Sequence, residues 1–348
     1  MKKKATAENN TQPPLPPDLK TIYQHFNPIG PRYQWEANNG YCGEVSMISA
    51  GLYYGQYLSQ YDVRILAEAN GGDQQNTQLL LGVNDKQVAK KLKLDAETCE
   101  VQDSIAFLKW VKKNVVSGYP VIIGVFNNEW LIYNNADANA GDPQYDHIVP
   151  VMAWGSARPL DEDDISGDVI LLSDNGLYGT DVGPIPNANV GYYYPYHIPY
   201  FLADRQLANT ATDPNRVYSL LKLPETKATT NEVYAIAIKG VLDKNGETLP
   251  IKITTGNNYE SPAIAHKSNV RPEPEAVTLT ITVSGLTAGQ TYYLYYYKDE
   301  KDVPEENFNA NSGNAWQVID ADESTWTGSL TIRSDEKAFF RAVNKNAG

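Results

Sequence analysis

The early part of the chain carries apolar side chains at helical spacing. Val45, Ile48 and Leu52 follow the i, i+3, i+7 pattern that lines one face of a helix. The segments DKQVAKKLKL (85–94) and SIAFLKWVKKNV (104–115) show the same amphipathic pattern. We therefore predict helices in all three segments.

The pattern changes after these helices. Short apolar runs rich in β-branched residues follow, separated by clusters of Asn, Asp, Gly and Pro. Three of them are YPVIIGVF (119–126), DHIVPVMAWG (146–155) and DVILLSDNG (168–176). Helices followed by strands predict an α+β domain whose two parts pack as lobes.

The last part of the chain has only strand-like patterns separated by turn clusters, which favours a β-sandwich. The runs are VYAIAIKGVLD, AVTLTITVSGL, TYYLYYYKD, STWTGSLTIRS and KAFFRAVNK. The sequence thus predicts a polar, proline-rich arm (1–20), an α+β domain (21–215) and an all-β domain (216–348). In the last domain, the segment with Leu286, Gly289 and Tyr292 resembles the fibronectin type III pattern, a fibronectin- or immunoglobulin-like sandwich.

Composition narrows the class of protein. The net charge of −13 argues against a nucleic-acid partner, because the phosphates would be repelled. No apolar stretch has the roughly 20 residues that a membrane span needs. No Cys or His cluster has the spacing of a zinc site, so we expect no metal. The basic start lacks the apolar middle of a signal peptide, yet the modular organisation favours a secreted or cell-surface protein over a cytoplasmic one.

One of the two cysteines stands where chemistry is favoured. Cys42 opens the first predicted helix, whose N–H groups and dipole stabilise a thiolate. Gly40 and Gly43 leave room for a substrate backbone beside the sulfur. Cys99 is expected to be structural, although a disulfide between the two cysteines would remove the nucleophile.

A thiolate nucleophile needs a proton carrier and a group that orients it. Among the four histidines, His147 opens an apolar strand in the same domain as Cys42. The next apolar run ends at Asp174 and Asn175, and either side chain could accept a hydrogen bond from the imidazole.

These motifs, GYCGEVSMISAGLYYG, DHIVPVMAWGS and VILLSDNG, together resemble papain-like cysteine peptidases. More closely, they are similar to the bacteriocin-processing branch and its relatives (peptidase C-39-like), over about residues 30 to 200. The resemblance implies Cys42 as nucleophile, His147 as general base and then acid, and Asp174 as the orienting residue. Asn175 is the alternative to Asp174. The transporter domains of the bacteriocin-processing members are absent, so their leader-processing role does not carry over.

The sequence departs from the family at one position. The family usually has a Gln about six residues before the cysteine as oxyanion donor, where this chain has Glu36. A carboxylate cannot donate a hydrogen bond unless it is protonated. Gln34 is therefore our candidate donor, with Asn38 as a second choice and the backbone N–H of Cys42 as the other donor.

The expected function is a thiol protease or amide hydrolase that acts on a peptide or protein through an acyl-thioester, without a cofactor. Deamidases and transglutaminases share that thioester, and the sequence does not separate them. The alternative is a catalytically inactive papain-like binding protein whose β-sandwich serves adhesion or partner recognition. A third, weaker option is carbohydrate binding by the sandwich through Trp316 or Trp326.

Overall fold

A computed structural model describes most of the predicted α+β and all-β parts of the chain. The described residues are 23–29, 32, 34, 40–67, 78–101, 103–127, 145–173, 175, 193–198, 218–220, 233–255 and 273–347. The predicted arm (1–20) lies outside them. None of the helices in these residues is long and apolar enough to cross a membrane.

The described α-helices lie in the first half of the chain, as the apolar spacing predicted. They are α1 (Cys42–Tyr53), α2 (Gln60–Ala67), α3 (Asp85–Lys91) and α4 (Ser104–Val116). The Asp103 carboxylate begins α4 by accepting a hydrogen bond from Ala106 N at 2.8 Å. The predicted helix over 85–94 is shorter than expected, because Lys93 adopts φ 58° and a strand begins at Leu94.

The strands form three antiparallel sheets. Their bounds are β1 (Tyr23–Phe26), β2 (Gln56–Tyr57), β3 (Leu94–Thr98), β4 (Val121–Asn127), β5 (His147–Ser156), β6 (Val169–Ser173), β7 (Tyr193–His197), β8 (Tyr218–Ser219), β9 (Ala235–Val241), β10 (Ile251–Thr255), β11 (Ala276–Ser284), β12 (Thr291–Tyr297), β13 (Gln317–Asp320), β14 (Thr325–Arg333) and β15 (Ala338–Asn344). Two 3-10 helices, Glu300–Asp302 and Phe308–Asn314, follow β12. The mixture of helix and antiparallel sheet confirms the predicted α+β class.

The largest sheet carries the strands named in the sequence motifs. Its order is β3-β9-β4-β5-β6-β7, with β1 also paired to β5 and β8 to β4. All ten residues of β5 are buried. Side chains of β5 therefore pack on both faces of the sheet, which explains its nearly continuous apolar sequence.

Helices α1 and α4 cover opposite faces of this sheet. Ile122 and Ile148 belong to the same hydrophobic cluster as the buried residues of α1. Ile123 and Val149, one residue further along each strand, belong to the cluster of α4. This alternation follows from the two-residue period of a strand, and it decides which side chains can approach the start of α1.

The two smaller sheets have the orders β10-β11-β14 and β13-β12-β15-β2, and buried side chains of both belong to one hydrophobic cluster. That cluster also includes Met47 and Ile48 of α1. Strand β2 comes directly after α1, and Phe339 of β15 lies opposite Gln56 in the pairing register. The helix that begins at Cys42 thus ends against the all-β part of the chain.

The domain boundary placed at residue 215 stays a prediction, and strand pairing crosses it. Strands β8 and β9 follow residue 215 but pair with β4 and β3 of the large sheet. Arg341 of β15 also donates to Gln56 Oε1 at 2.7 Å. Both side chains are buried, so the contact lies deep between the two parts, and burial lowers the pKa of the guanidinium to about 10.

Candidate active site

The sequence before Cys42 makes a tight turn that only glycine accommodates easily. Gly40 adopts φ +84°, and a Cβ at this position would lie 2.9 Å from Gln34 Oε1. A side chain at Gly43 would lie 2.2 Å from the carbonyl oxygen of Leu79. Gly40 is therefore required by its positive φ, and Gly43 by the close approach of the Leu79 backbone. Cys42 is half-buried, and both cysteines are free thiols.

Gln34 lies against this turn, as its candidate role requires. Its Oε1 accepts from Tyr41 N at 3.1 Å, and its Nε2 lies 3.4 Å from Asn175 Oδ1. Its own backbone N–H donates to the carbonyl of Asn175 at 2.8 Å. The carbonyl end of the amide is thus fixed toward the backbone just before Cys42.

Asn175 joins the start of α1 to the start of β5. Its Nδ2 lies 3.1 Å from the Cys42 carbonyl oxygen and 2.9 Å from that of Ile148. It also lies 3.0 Å from Ser46 Oγ. Since one nitrogen atom bridges the two carbonyls, the backbones of Cys42 and Ile148 lie side by side.

These contacts do not include the imidazole of His147, which Asn175 would orient if it replaced Asp174. The amide nitrogen of Asn175 serves backbone carbonyls and Ser46, and its oxygen faces Gln34. The assignment of Asn175 as an orienting residue stays untested, but its described contacts are those of a structural clamp.

His147 begins β5, one residue before Ile148, whose carbonyl oxygen contacts the amide nitrogen of Asn175. Strand alternation places its side chain on the face of Val149, which packs with α4, while Ile148 faces α1. Its ring centroid lies 5.7 Å from that of Tyr218, and the residue is 0% exposed. The backbones of Cys42 and Ile148 therefore meet, but the buried imidazole of His147 lies on the α4 face of the sheet, opposite the face on which α1 packs.

Tyr145 packs against the same hydrophobic cluster as Cys42, and the sequence analysis did not identify it. Its ring packs on Gly124, where a Cβ would lie 2.9 Å from Cγ, and its hydroxyl donates to Leu81 O at 3.1 Å. Burial, followed by the charge of a Cys42 thiolate, raises the pKa of this hydroxyl. The Tyr145 hydroxyl thus stays neutral at physiological pH.

Ser46 is another residue that the sequence analysis missed. Its hydroxyl lies 2.7 Å from the carbonyl oxygen of Cys42 and 3.2 Å from that of Ile148. The available signal was its position four residues after Cys42, one helical turn later on the same face of the helix.

Three residues of the prediction lie outside the described part of the chain: Asp174, Glu36 and Asn38. Within the described part, no group of three or more His, Cys, Asp or Glu side chains could hold a metal ion. Trp316 and Trp326 are partly buried against the hydrophobic cluster of the two small sheets, a packing role that weighs against the carbohydrate option.

Comparisons of the chain with protein-family models, curated proteins and solved structures gave no match. The papain-like resemblance accordingly rests on the sequence motifs alone.

Proposed function

We propose that this chain is a cysteine-dependent peptidase or amide hydrolase on a papain-like, two-lobed domain. One observation carries the proposal. The motif segments around Cys42, Ile148 and Asn175 are separated by more than a hundred residues at the widest, yet the amide nitrogen of Asn175 touches both other backbones. A resemblance of sequence patterns alone does not require that convergence.

The proposed reaction is acyl transfer through the sulfur of Cys42. His147 takes the thiol proton, and the thiolate attacks the scissile carbonyl to form a carbon–sulfur bond. As the tetrahedral intermediate collapses, the carbon–nitrogen bond breaks and His147 protonates the leaving amine. Water then hydrolyses the thioester. Asp174 would hold the imidazole orientation throughout.

The developing oxyanion would be stabilised by two donors. One is the backbone N–H of Cys42, because the first N–H groups of a helix have no partner within the helix. The other is Gln34 Nε2, whose amide is fixed through Oε1 to Tyr41 N. Glu36 is not needed in this arrangement. A peptide or protein is the proposed substrate, with deamidase and transglutaminase activity as variants of the same acyl-enzyme.

The second candidate is a papain-like binding protein without activity. Two features of His147 favour it, because a general base must reach both the thiol and the substrate. The side chain is completely buried, and it lies on the α4 face of the sheet, opposite the helix that begins at Cys42. In this case the half-buried Cys42 would react as an ordinary thiol, and the two small sheets would serve partner recognition.

Alkylation of the native protein by limiting iodoacetamide between pH 5 and 8 separates the two candidates, with peptide mass spectrometry resolving Cys42 from Cys99. An active pair gives rapid labelling of Cys42 at acidic pH, which His147→Ala abolishes. Labelling of Cys42 that follows an ordinary thiol, unchanged by His147→Ala, would reject the peptidase and support the binding protein.

A further inference from the structure

We infer that Arg64 and Glu44 form a buried ion pair that positions the Cys42 backbone for acyl transfer. Neither side chain touches a substrate in this role, so both are positioning residues. The inference rests on the proposed function and extends it to the second layer around the nucleophile.

Arg64 lies on α2 and contacts both residues that precede Cys42. Its guanidinium donates to the carbonyl of Gly40, and its Cζ lies 3.7 Å from the centroid of the Tyr41 ring. Its Nε donates to Glu44 Oε1 at 2.6 Å. The side chains of Arg64 and Glu44 are 0% and 1% exposed. One cation therefore holds the chain on both sides of the nucleophile.

Glu44 extends the pair to the segment behind Gly43. The same Oε1 accepts from the backbone N–H of Leu79 at 2.9 Å. The carbonyl of Leu79 occupies the space where Gly43 would have a side chain. The ion pair thus fixes the Leu79 segment against the first turn of α1.

These contacts determine where the Cys42 N–H points. The carbonyl of Tyr41 accepts from Val45 N at 2.9 Å, as in a regular first turn. Because a trans peptide is planar, the N–H of Cys42 points the opposite way, out of the helix start. Arg64 packs over the Tyr41 ring, and the backbone N–H of Tyr41 donates to Gln34 Oε1. Arg64 and Gln34 thus fix the Gly40–Tyr41 peptide, which directly precedes the peptide that carries the Cys42 N–H, and loss of Arg64 would remove the restraints on the Gly40 carbonyl and the Tyr41 ring.

A stabilising role alone does not explain the pair. Replacing a buried ion pair with apolar side chains of similar volume is often neutral or favourable for stability. Arg64 instead supplies a planar fork that serves two acceptors and an aromatic face at once, which no apolar side chain does. An apolar replacement would therefore lose the positioning of the backbone around Cys42.

Two reagents separate positioning from folding. Iodoacetamide needs only the sulfur, since no oxyanion forms. p-Nitrophenyl acetate requires attack at a carbonyl: the thioester bond forms, p-nitrophenolate leaves, and the oxyanion must be stabilised. We expect the Arg64→Met/Glu44→Leu variant to have a lower thermal midpoint, because the Gly40 carbonyl and the Leu79 N–H lose these hydrogen bonds, and to keep its alkylation rate. Its rate of Cys42 acylation should fall at least about 10-fold, after subtraction of the Cys42→Ala background.

The matched control is a second buried ion pair in the described part of the chain, Lys112 Nζ with Asp168 Oδ2 at 3.0 Å, which belongs to α4 and the loop before β6. The variant Lys112→Met/Asp168→Asn should leave the ratio of acylation to alkylation unchanged. If the Arg64→Met/Glu44→Leu variant does not fold, the same ratio is measured for Arg64→Lys. Lysine keeps the positive charge but lacks the planar guanidinium group that donates to two acceptors. An unchanged ratio in the folded variant overturns the positioning role.

The result also separates this inference from the proposed function. If wild-type Cys42 is neither rapidly alkylated nor acylated, the proposed function itself fails. If wild-type Cys42 is acylated and the ratio survives the loss of the ion pair, only the positioning role fails.

Discussion

The two cysteines of this chain have the same chemistry and opposite surroundings. Cys42 is half-buried and begins α1, where backbone carbonyls, amides and a buried ion pair surround it. Cys99 follows β3 and is 6% exposed, in the hydrophobic cluster of Phe107 and Leu108 on α4. Burial raises the pKa of the Cys99 thiol. Position in the fold, more than residue type, decides which thiol is available for chemistry.

The polar contacts at the two sites also differ, and those at Cys42 are made to the backbone next to the sulfur. Around Cys42 the polar groups converge from four separate segments, through Gln34, Ser46, Arg64 and Asn175. Around Cys99 the sulfur lies 4.0 Å from the carbonyl of Val101, a weak hydrogen bond, and packs among apolar side chains. A thiolate is stabilised by donors and dipoles and destabilised by apolar burial.

The largest expected effect is on acyl transfer. Cys42→Ala should reduce acylation by p-nitrophenyl acetate at least about 1,000-fold, because the nucleophile is lost. Cys99→Ala should retain the wild-type rate within about twofold, since Cys99 packs in an apolar cluster away from the clamp. Release of p-nitrophenolate measures both rates. If Cys99→Ala abolished p-nitrophenolate release and Cys42→Ala did not, Cys99 rather than Cys42 would be the nucleophile.

The next effect tests the clamp beside Cys42. Asn175→Asp replaces a donor with an acceptor against two backbone carbonyls and should destabilise the fold by about 3 kcal/mol. Asn175→Ala leaves those carbonyls with the Ser46 hydroxyl and should cost about 2 kcal/mol. Urea unfolding measures both variants.

Asn175→Asp also separates the clamp from an orienting role. An orienting residue only has to accept from the imidazole N–H, which a carboxylate does as well as an amide. A stable and fully reactive Asn175→Asp variant would therefore assign Asn175 to His147 and contradict the clamp.

Local patterns predicted the elements well. The i, i+3, i+7 spacing in α1 and the apolar runs of β4, β5 and β6 depend on neighbours in sequence. The strand pairing that crosses residue 215 depends on which edge β9 joins, and no local pattern contains that information. Boundaries drawn from composition therefore separated strands that the sheet unites.

The candidate site was predictable only in part, for the same reason. Cys42 and Gln34 are close in sequence, and a glycine-flanked cysteine before a helix is a recognisable pattern. Arg64 was not identifiable, because an arginine in an amphipathic helix usually belongs to the exposed face. Its partner Glu44 and the buried face it occupies depend on how α2 packs against α1.

A smaller effect concerns the polarity that each cysteine site tolerates. Cys99→Ser buries a hydroxyl among apolar side chains and should destabilise the fold by about 1–2 kcal/mol. Cys42→Ser should change stability by less than about 0.5 kcal/mol, because a half-buried hydroxyl beside amides can be hydrogen-bonded. Thermal unfolding of both variants checks the difference. Equal losses would mean that the two surroundings do not differ in polarity.

The smallest effect extends the comparison to a carboxyl group. Asp85, at the start of α3, is 3% exposed, and within the described structure its Oδ2 has no hydrogen-bond partner. Burial raises its pKa above the ordinary value of 3.8, although backbone N–H groups of Lys86 and Gly82 oppose the shift. The ionised carboxylate is therefore less favourable in the folded state than in the unfolded state.

The sign of the pH dependence follows from that raised pKa. The folded state takes up a proton first as the pH falls, so the cost of Asp85 is present at pH 7 and is gone below about pH 4. Asp85→Asn keeps an acceptor for the backbone N–H groups and should stabilise the protein by about 1 kcal/mol at pH 7. Urea unfolding at pH 7, 5 and 4 should show this gain shrinking to zero. A gain in stability that does not change with pH would instead show that ionisation of the Asp85 carboxyl group is not what destabilises the folded state.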